Sequence, residues 1–213
     1  MLTLATISES ALVCQLEAPA QLEKQQKLWA FAEVIREEGL GEVVLGMNNI
    51  SVFFPYGTDL EQAGKALLAL WNDLKPRDYE PRLVEIPVSY GGEHGQDLWE
   101  VAKIHGKTER EIVQLHSQAL YTVYMIGFQA GFPYLGGLPE ALHTPRRATP
   151  RTAVPAGSVG IGGSQTGIYP RTAPGGWQLI GQTQSALFDP NRNPPALLQA
   201  GDQVKFVVAE MVL

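Results

Sequence analysis

The 213-residue chain has one cysteine, Cys14, so it cannot form an internal disulfide, and that usage fits a reducing, cytoplasmic setting. It contains no run approaching the ~20 apolar residues of a membrane span. The first nineteen residues carry Glu9 and Glu17 and lack a basic region, so no signal peptide is expected there. Cations are scarce: 16 Lys and Arg face 22 Asp and Glu, for a net charge of −6. The chain therefore lacks the basic footprint of a nucleic-acid binder.

Several motifs are missing too. There is no G-x-x-x-x-G-K-[ST] phosphate loop. The glycine-rich run Gly157–Gly167 places Gln165 where a dinucleotide fingerprint starting at Gly160 would need glycine. Around Ser164 the frame is G-x-S-x-T, and Ser158 has Ala156 two residues upstream, so neither is a nucleophile elbow. Four scattered histidines (94, 105, 116, 143), one cysteine and no H-E-x-x-H make a protein-built metal site unexpected.

At 45% hydrophobic and 18% charged, the chain has the composition of a globular protein long enough for one large domain or two small ones. Two are expected, because the texture changes near residue 80. Residues 1–80 hold 5 of the 22 glycines, 3 of the 15 prolines, and 6 basic against 12 acidic side chains; residues 81–213 carry 10 of each charge. The stretch from Lys75 to Arg82 reads as a linker.

In the first half, two strand-like runs flank Ser8–Ser10. A helix follows from Leu22 to Leu40, with Leu28, Phe31, Ala32 and Ile35 on its buried face and glycines at its end. Two more strands surround Asn48–Asn49, and a second helix opens on an expected capping box of Thr58 with Glu61. The order ββαββα suggests an α+β sandwich. The second half opens with a β-branched strand into Gly91–Gly92 and continues with two helices. Asp97 is the expected cap of the first, and Thr108 with Glu111 forms a capping box for the second. After Tyr121, short apolar pieces among Gly and Pro turns predict a closed or nearly closed β-barrel. The tetrapeptide PRTA occurs at 150–153 and again at 170–173, by chance or as a paired loop.

One positive chemical signal stands out. Between Tyr121 and Pro190 the only charged residues are Glu140, Arg146, Arg147, Arg151, Arg171 and Asp189, with no lysine. Arginine offers a planar fork to carboxylate or phosphate that lysine does not. These arginines either decorate surface turns or line an anion site. Tyr134, Tyr169 and Trp177 either wall a small-molecule pocket or belong to the barrel core. His116 lies on the buried stripe of its helix, as a hydrogen-bonded core residue or as the candidate catalytic group. Exposed as a turn residue is expected to be, Arg147 should contribute little to folding.

The segments Ile86–Ala102, Leu115–Ser117, Ile126–Pro139, Thr144–Pro170, Ala173–Thr183, Leu187–Pro190 and the G-D-x-V-x-F ending at Phe206 resemble the KipI family, densely over 81–213 and more weakly through Gly46–Phe54. That family includes the B subunit of the bacterial ATP-dependent 5-oxoprolinase and was long labelled allophanate hydrolase subunit 1. The sequence departs from the family pattern at Gln96 and Ala130, where proline is common. The resemblance implies an α+β, ferredoxin-like N-terminal domain (1–80) followed by a mainly-β, cyclophilin-like barrel domain (81–213). It also implies the KipA-type C and the A subunits of 5-oxoprolinase as partners, 5-oxoproline as substrate, and ATP with Mg used at the level of the complex; no cofactor bound by this chain itself is readable from the sequence. Within that picture Arg146, Arg147 and Arg151 are expected to line an anion site, with Ser158, Gln165, Tyr169 and Trp177 around it. The alternative implied by the same family is a regulator that inhibits a sporulation histidine kinase by protein–protein binding.

Overall fold

A computed structural model describes residues 1–75, 77 and 79–213. Pro76 and Asp78, within the expected linker, lie outside the described residues. The chain divides into two compact units, Met1–Glu80 and Pro81–Leu213.

The first unit runs β1 (Leu2–Ser8), β2 (Ala11–Leu16), α1 (Leu22–Glu37), β3 (Glu42–Leu45), β4 (Asn49–Phe53) and α2 (Leu60–Asn72). Its sheet has the order β1-β2-β4-β3, antiparallel throughout. Period-2 alternation buries Leu12, Cys14 and Leu16 on β2 and Ile50 and Val52 on β4. The face they form joins Leu28, Phe31, Ala32 and Ile35 of α1 and Leu67 and Trp71 of α2 in one core. Burial pushes the Cys14 thiol up to about 12, which leaves it unreactive. The N-cap of α2 is Asp59 rather than Thr58: its carboxylate accepts from the N–H groups of Glu61 and Gln62, while the Thr58 hydroxyl donates to Pro55 O at 2.7 Å. The adjacent carboxylate, nearer the helix's free N–H groups and charged, wins the capping position.

The second unit runs β5 (Leu83–Gly91), α3 (Leu98–His105), α4 (Glu109–Gln118), β6 (Tyr121–Ile126), β7 (Pro133–Gly136), β8 (Arg151–Val154), β9 (Ser158–Gly162), β10 (Gln165–Ile168), β11 (Ala173–Gly175), β12 (Gln178–Gln182) and β13 (Gln203–Val212). Seven strands close a barrel in the order β10-β7-β6-β13-β5-β12-β9. The β5–β13 pair is parallel and the others are antiparallel. The capping box at the start of α4 is present in both directions between Thr108 and Glu111. The first PRTA segment pairs with the residues that follow the second, since β8 and β11 form a two-stranded sheet with Ala173 opposite Val154 and Gly175 opposite Arg151.

His116 is fully buried in the barrel core. Its Nδ1 lies 2.9 Å from the Tyr90 hydroxyl and its Nε2 2.9 Å from Thr166 Oγ1, which itself donates to Gly160 O. With its proton spent on Gly160, Thr166 must accept, so the imidazole carries hydrogen on Nε2 and accepts from Tyr90 at Nδ1. Phe206 stacks on the ring at 4.5 Å, and burial pushes the His116 pKa down to about 3.

Candidate functional site

The arginines part company. Asp97 occupies the first position before α3, yet its side chain caps nothing there. Instead the carboxylate, which is 2% exposed, accepts from Arg147 at 2.7 Å, twice from Arg151 at 2.7 and 2.9 Å, and from the Leu179 N–H at 2.7 Å. Four donors converge on one buried anion, and the bidentate Arg151 pair has the fork geometry of the strongest such contacts. Arg147 also reaches Glu100 at 3.6 Å. The expectation that Arg147 is an exposed turn residue of little consequence for folding is therefore corrected. It and Arg151 pin the β8–β11 loops to the start of α3 and to β12, and their charge is largely met within the chain.

Arg146 differs: among the described residues no carboxylate pairs with it. Its guanidinium lies over the Trp177 ring, 5.8 Å from the centroid, within cation–π range. Below it is a cleft of about 120 Å³ lined by Phe128, Phe132, Tyr134, Arg146, Tyr169, Pro174, Gly175, Gly176 and Trp177. The rings meet edge to face or tilted: Phe132 is 5.1 Å from Tyr169, 5.6 Å from Trp177 and 5.0 Å from Tyr134. Desolvation raises the Tyr134 and Tyr169 hydroxyls above the usual tyrosine range, partly opposed by Arg146, so both stay protonated as donors. Arg146 also borders a second, more polar cleft of about 360 Å³ with Glu100, Pro145, Arg147, Thr149 and Gln178.

The glycine-rich run is explained by this aromatic floor. A Cβ at Gly162 would stand 2.5 Å from Trp177 Nε1, and one at Gly167 would stand 2.7 Å from Pro133 O and 3.0 Å from Trp177. Gly162 and Gly167 let strands β9 and β10 pass close beneath the indole. Ser158 and Gln165, expected around the anion site, sit in those same strands and are not among the residues lining the two clefts. Trp177 is both things at once, 4% exposed and a cleft wall. Of the expected set, the structure brings together Arg146, Tyr169 and Trp177.

Sequence reasoning missed Phe128 and Phe132, both inside the segment Ile126–Pro139. Phe128 has φ +64°, and the Gln129 N–H donates to Gly127 O at 2.7 Å, closing a three-residue γ-turn of the strained, positive-φ kind. Such a conformation costs a residue with a β-carbon about 1–3 kcal/mol and collects at functional sites. No group of three or more His, Cys, Asp or Glu among the described residues could hold a metal ion. A magnesium ion carried on nucleotide phosphates needs only one or two protein carboxylates, so this bears on a protein-built metal site and not on ATP. No helix among the described residues is long and apolar enough to cross a membrane.

Comparison with known proteins adds the following. The family model for the carboxyltransferase domain, subdomain C and D, matches residues 2–198. The chain is 62% identical over 97% of its length, and 98% of the relative's, to the B subunit of 5-oxoprolinase from Haemophilus influenzae. It is 50% identical over 94% of its length, and 93% of the relative's, to the B subunit of 5-oxoprolinase from Escherichia coli O157:H7. The solved structure of TTHA0988 superposes with a TM-score of 0.79 at 36% identity, covering 94% of this chain and 40% of that one. The chain thus spans less than half of that longer protein. Kluyveromyces lactis urea carboxylase shares the fold, with a TM-score of 0.82 at 20% identity over all of this chain and 22% of that one.

Proposed function

The chain belongs to the carboxyltransferase domain, subdomain C and D, family, and on that footing we propose that it works as the B subunit of an ATP-dependent 5-oxoprolinase. That complex opens 5-oxo-L-proline to L-glutamate with hydrolysis of ATP. The observation that carries this reading is the 62% identity to a protein of that name across nearly the full length of both. The kinase-inhibitor alternative is not supported.

A five-membered lactam is an unreactive amide, and phosphorylation of its oxygen makes the carbonyl carbon a good electrophile. Before that, the substrate must be held by its carboxylate and its flat ring. Arg146 is suited to the first task, as a guanidinium with no carboxylate partner among the described residues, at the mouth of an apolar cleft. Phe132, Tyr169 and Trp177 suit the second. The cleft is smaller than the ~300–1,000 Å³ typical of drug-sized ligands, which fits a compact metabolite. Arg147 and Arg151 act through Asp97, holding the loop that presents Arg146. His116, neutral and enclosed, keeps the barrel in register and takes no part in proton transfer.

The nucleotide and its magnesium belong to the partners, the KipA-type C and the A subunits, which complete the site in the cytoplasm. The two units of the chain are independently folding domains. The second is a cyclophilin-like barrel. The first is ferredoxin-like by permutation: moving β1 behind α2 turns ββαββα into the β-α-β-β-α-β order.

Arg146→Ala in the reconstituted complex tests the site. Loss of a charge-assisted contact worth about 1.5–3 kcal/mol should lower kcat/KM for 5-oxoproline roughly 10- to 100-fold. Unchanged turnover removes Arg146 from the site.

A further inference from the structure

We propose that Phe128 sets the ring size this cleft accepts, closing as a movable wall over a five-membered lactam carboxylate held by Arg146. The proposal rests on the reading of the aromatic cleft as the substrate site.

Its ground is a mismatch between Phe128 and its surroundings. The ring is 61% exposed, although it is one of the largest apolar side chains in the barrel unit. Its backbone adopts a positive φ that glycine or asparagine would take with less strain. Neither burial nor backbone preference favours phenylalanine here, so its fold-stabilising value is small. What the position does provide is contact with the cleft. The Phe128 ring stands edge-on to Phe132 at 5.4 Å and to Tyr169 at 6.4 Å, and it lines the opening.

The other rings cannot play this part equally well. Phe132, Tyr169 and Trp177 are each at most 4% exposed and lock one another in place. Their positions are backed by glycines that leave no slack, with Gly167 beneath Phe132 and Trp177 and Gly175 against Tyr169. Phe128 shares the short β6–β7 loop with the buried Phe132, and it is the lining ring whose outer face is open. A planar ligand entering beside Arg146 would exchange solvent for the face of Phe128. The ligand class is a small flat ring bearing one carboxylate, and the wall's reach decides how wide that ring can be.

The test compares L-5-oxoproline with its six-membered homologue, 6-oxopiperidine-2-carboxylate, in the reconstituted complex. Turnover is measured for each, or the inhibition constant where the homologue is not turned over, together with the thermal midpoint of each variant. A pocket wall discriminates one methylene by about 10–200-fold, so Phe128→Ala should reduce the five-over-six preference at least about tenfold. Phe128→Gly, which also relieves the strained φ, should shift the preference likewise and melt no lower than the parent. An unchanged preference overturns the proposal, including the case in which activity toward both rings falls together with the melting point, as a purely structural residue would give. If Arg146→Ala abolishes turnover while Phe128→Ala leaves the preference intact, the wall fails and the site stands. If Arg146→Ala also turns over normally, the site itself fails.

Discussion

Replacing Asp97 with asparagine should destabilise the barrel unit by about 3 kcal/mol, although the change is nearly isosteric. The parent carboxylate is almost wholly buried and receives three guanidinium contacts and one backbone N–H, all at 2.7–2.9 Å. The amide oxygen can keep one or two of these, and the amide nitrogen then faces donors. Removing one partner of a buried ion pair costs about 3–5 kcal/mol. The low end applies because Arg147 and Arg151 keep 30% and 20% of their side-chain surface in solvent, where water partly rescues them. For a domain of this size each kcal/mol moves the thermal midpoint by about 2–4 °C, so a fall of roughly 6–12 °C is expected. Thermal unfolding followed by circular dichroism reads it directly. The double variant with Arg151→Gln should lose less than the sum of the two single changes, since both remove the same contacts. A midpoint within about 2 °C of the parent, which is under the ~1 kcal/mol resolved by such a melt, or strict additivity, would refute the claim that Asp97 is the anchor of these loops.

Gly162→Ala places a methyl against the Trp177 indole and should cost about 1–3 kcal/mol by overpacking, visible as a lower melting point; an unaffected melt would show that the indole can shift. His116 binds its proton far more weakly folded than unfolded, so its contribution to stability is full above about pH 6.5 and is lost as pH falls toward 3, at up to about 1.4 kcal/mol per pH unit. A His116→Gln variant should therefore show a flatter stability profile between about pH 6.5 and 4 in denaturant melts, and an identical slope would contradict the assignment of a neutral, buried imidazole. Limited proteolysis should cut within Lys75–Arg82 before the strands, releasing two folded fragments; first cuts inside β5 or β12 would argue against separable domains.

What could be read from the sequence was local. The Thr108–Glu111 box, the buried stripe of α1 and the alternating strands depend on residues within a turn or two of each other. Asp97 shows where such reasoning stops. Aspartate before an apolar run reads as a helix cap, yet its partners stand 50, 54 and 82 residues away. The arginine bias was visible as composition, whereas which arginines are met by a carboxylate depends on that distant Asp97. Phe128 and Phe132 carried no signal in spacing, because the cleft they line forms only when β7, β10 and the β11–β12 turn meet. Asp59 displaced Thr58 for a nearer reason, two capping residues competing for the same N–H groups.

The most direct test is 5-oxoproline-dependent ATP hydrolysis by the purified chain, measured alone and after adding the C and A subunits. None is expected from the chain alone, because on the proposed reading its cleft holds the carboxylate and the flat ring while the nucleotide is held by the partners. Glutamate and ADP are expected together once the partners are present. Robust 5-oxoproline-dependent ATP hydrolysis by the isolated chain would contradict this division of labour.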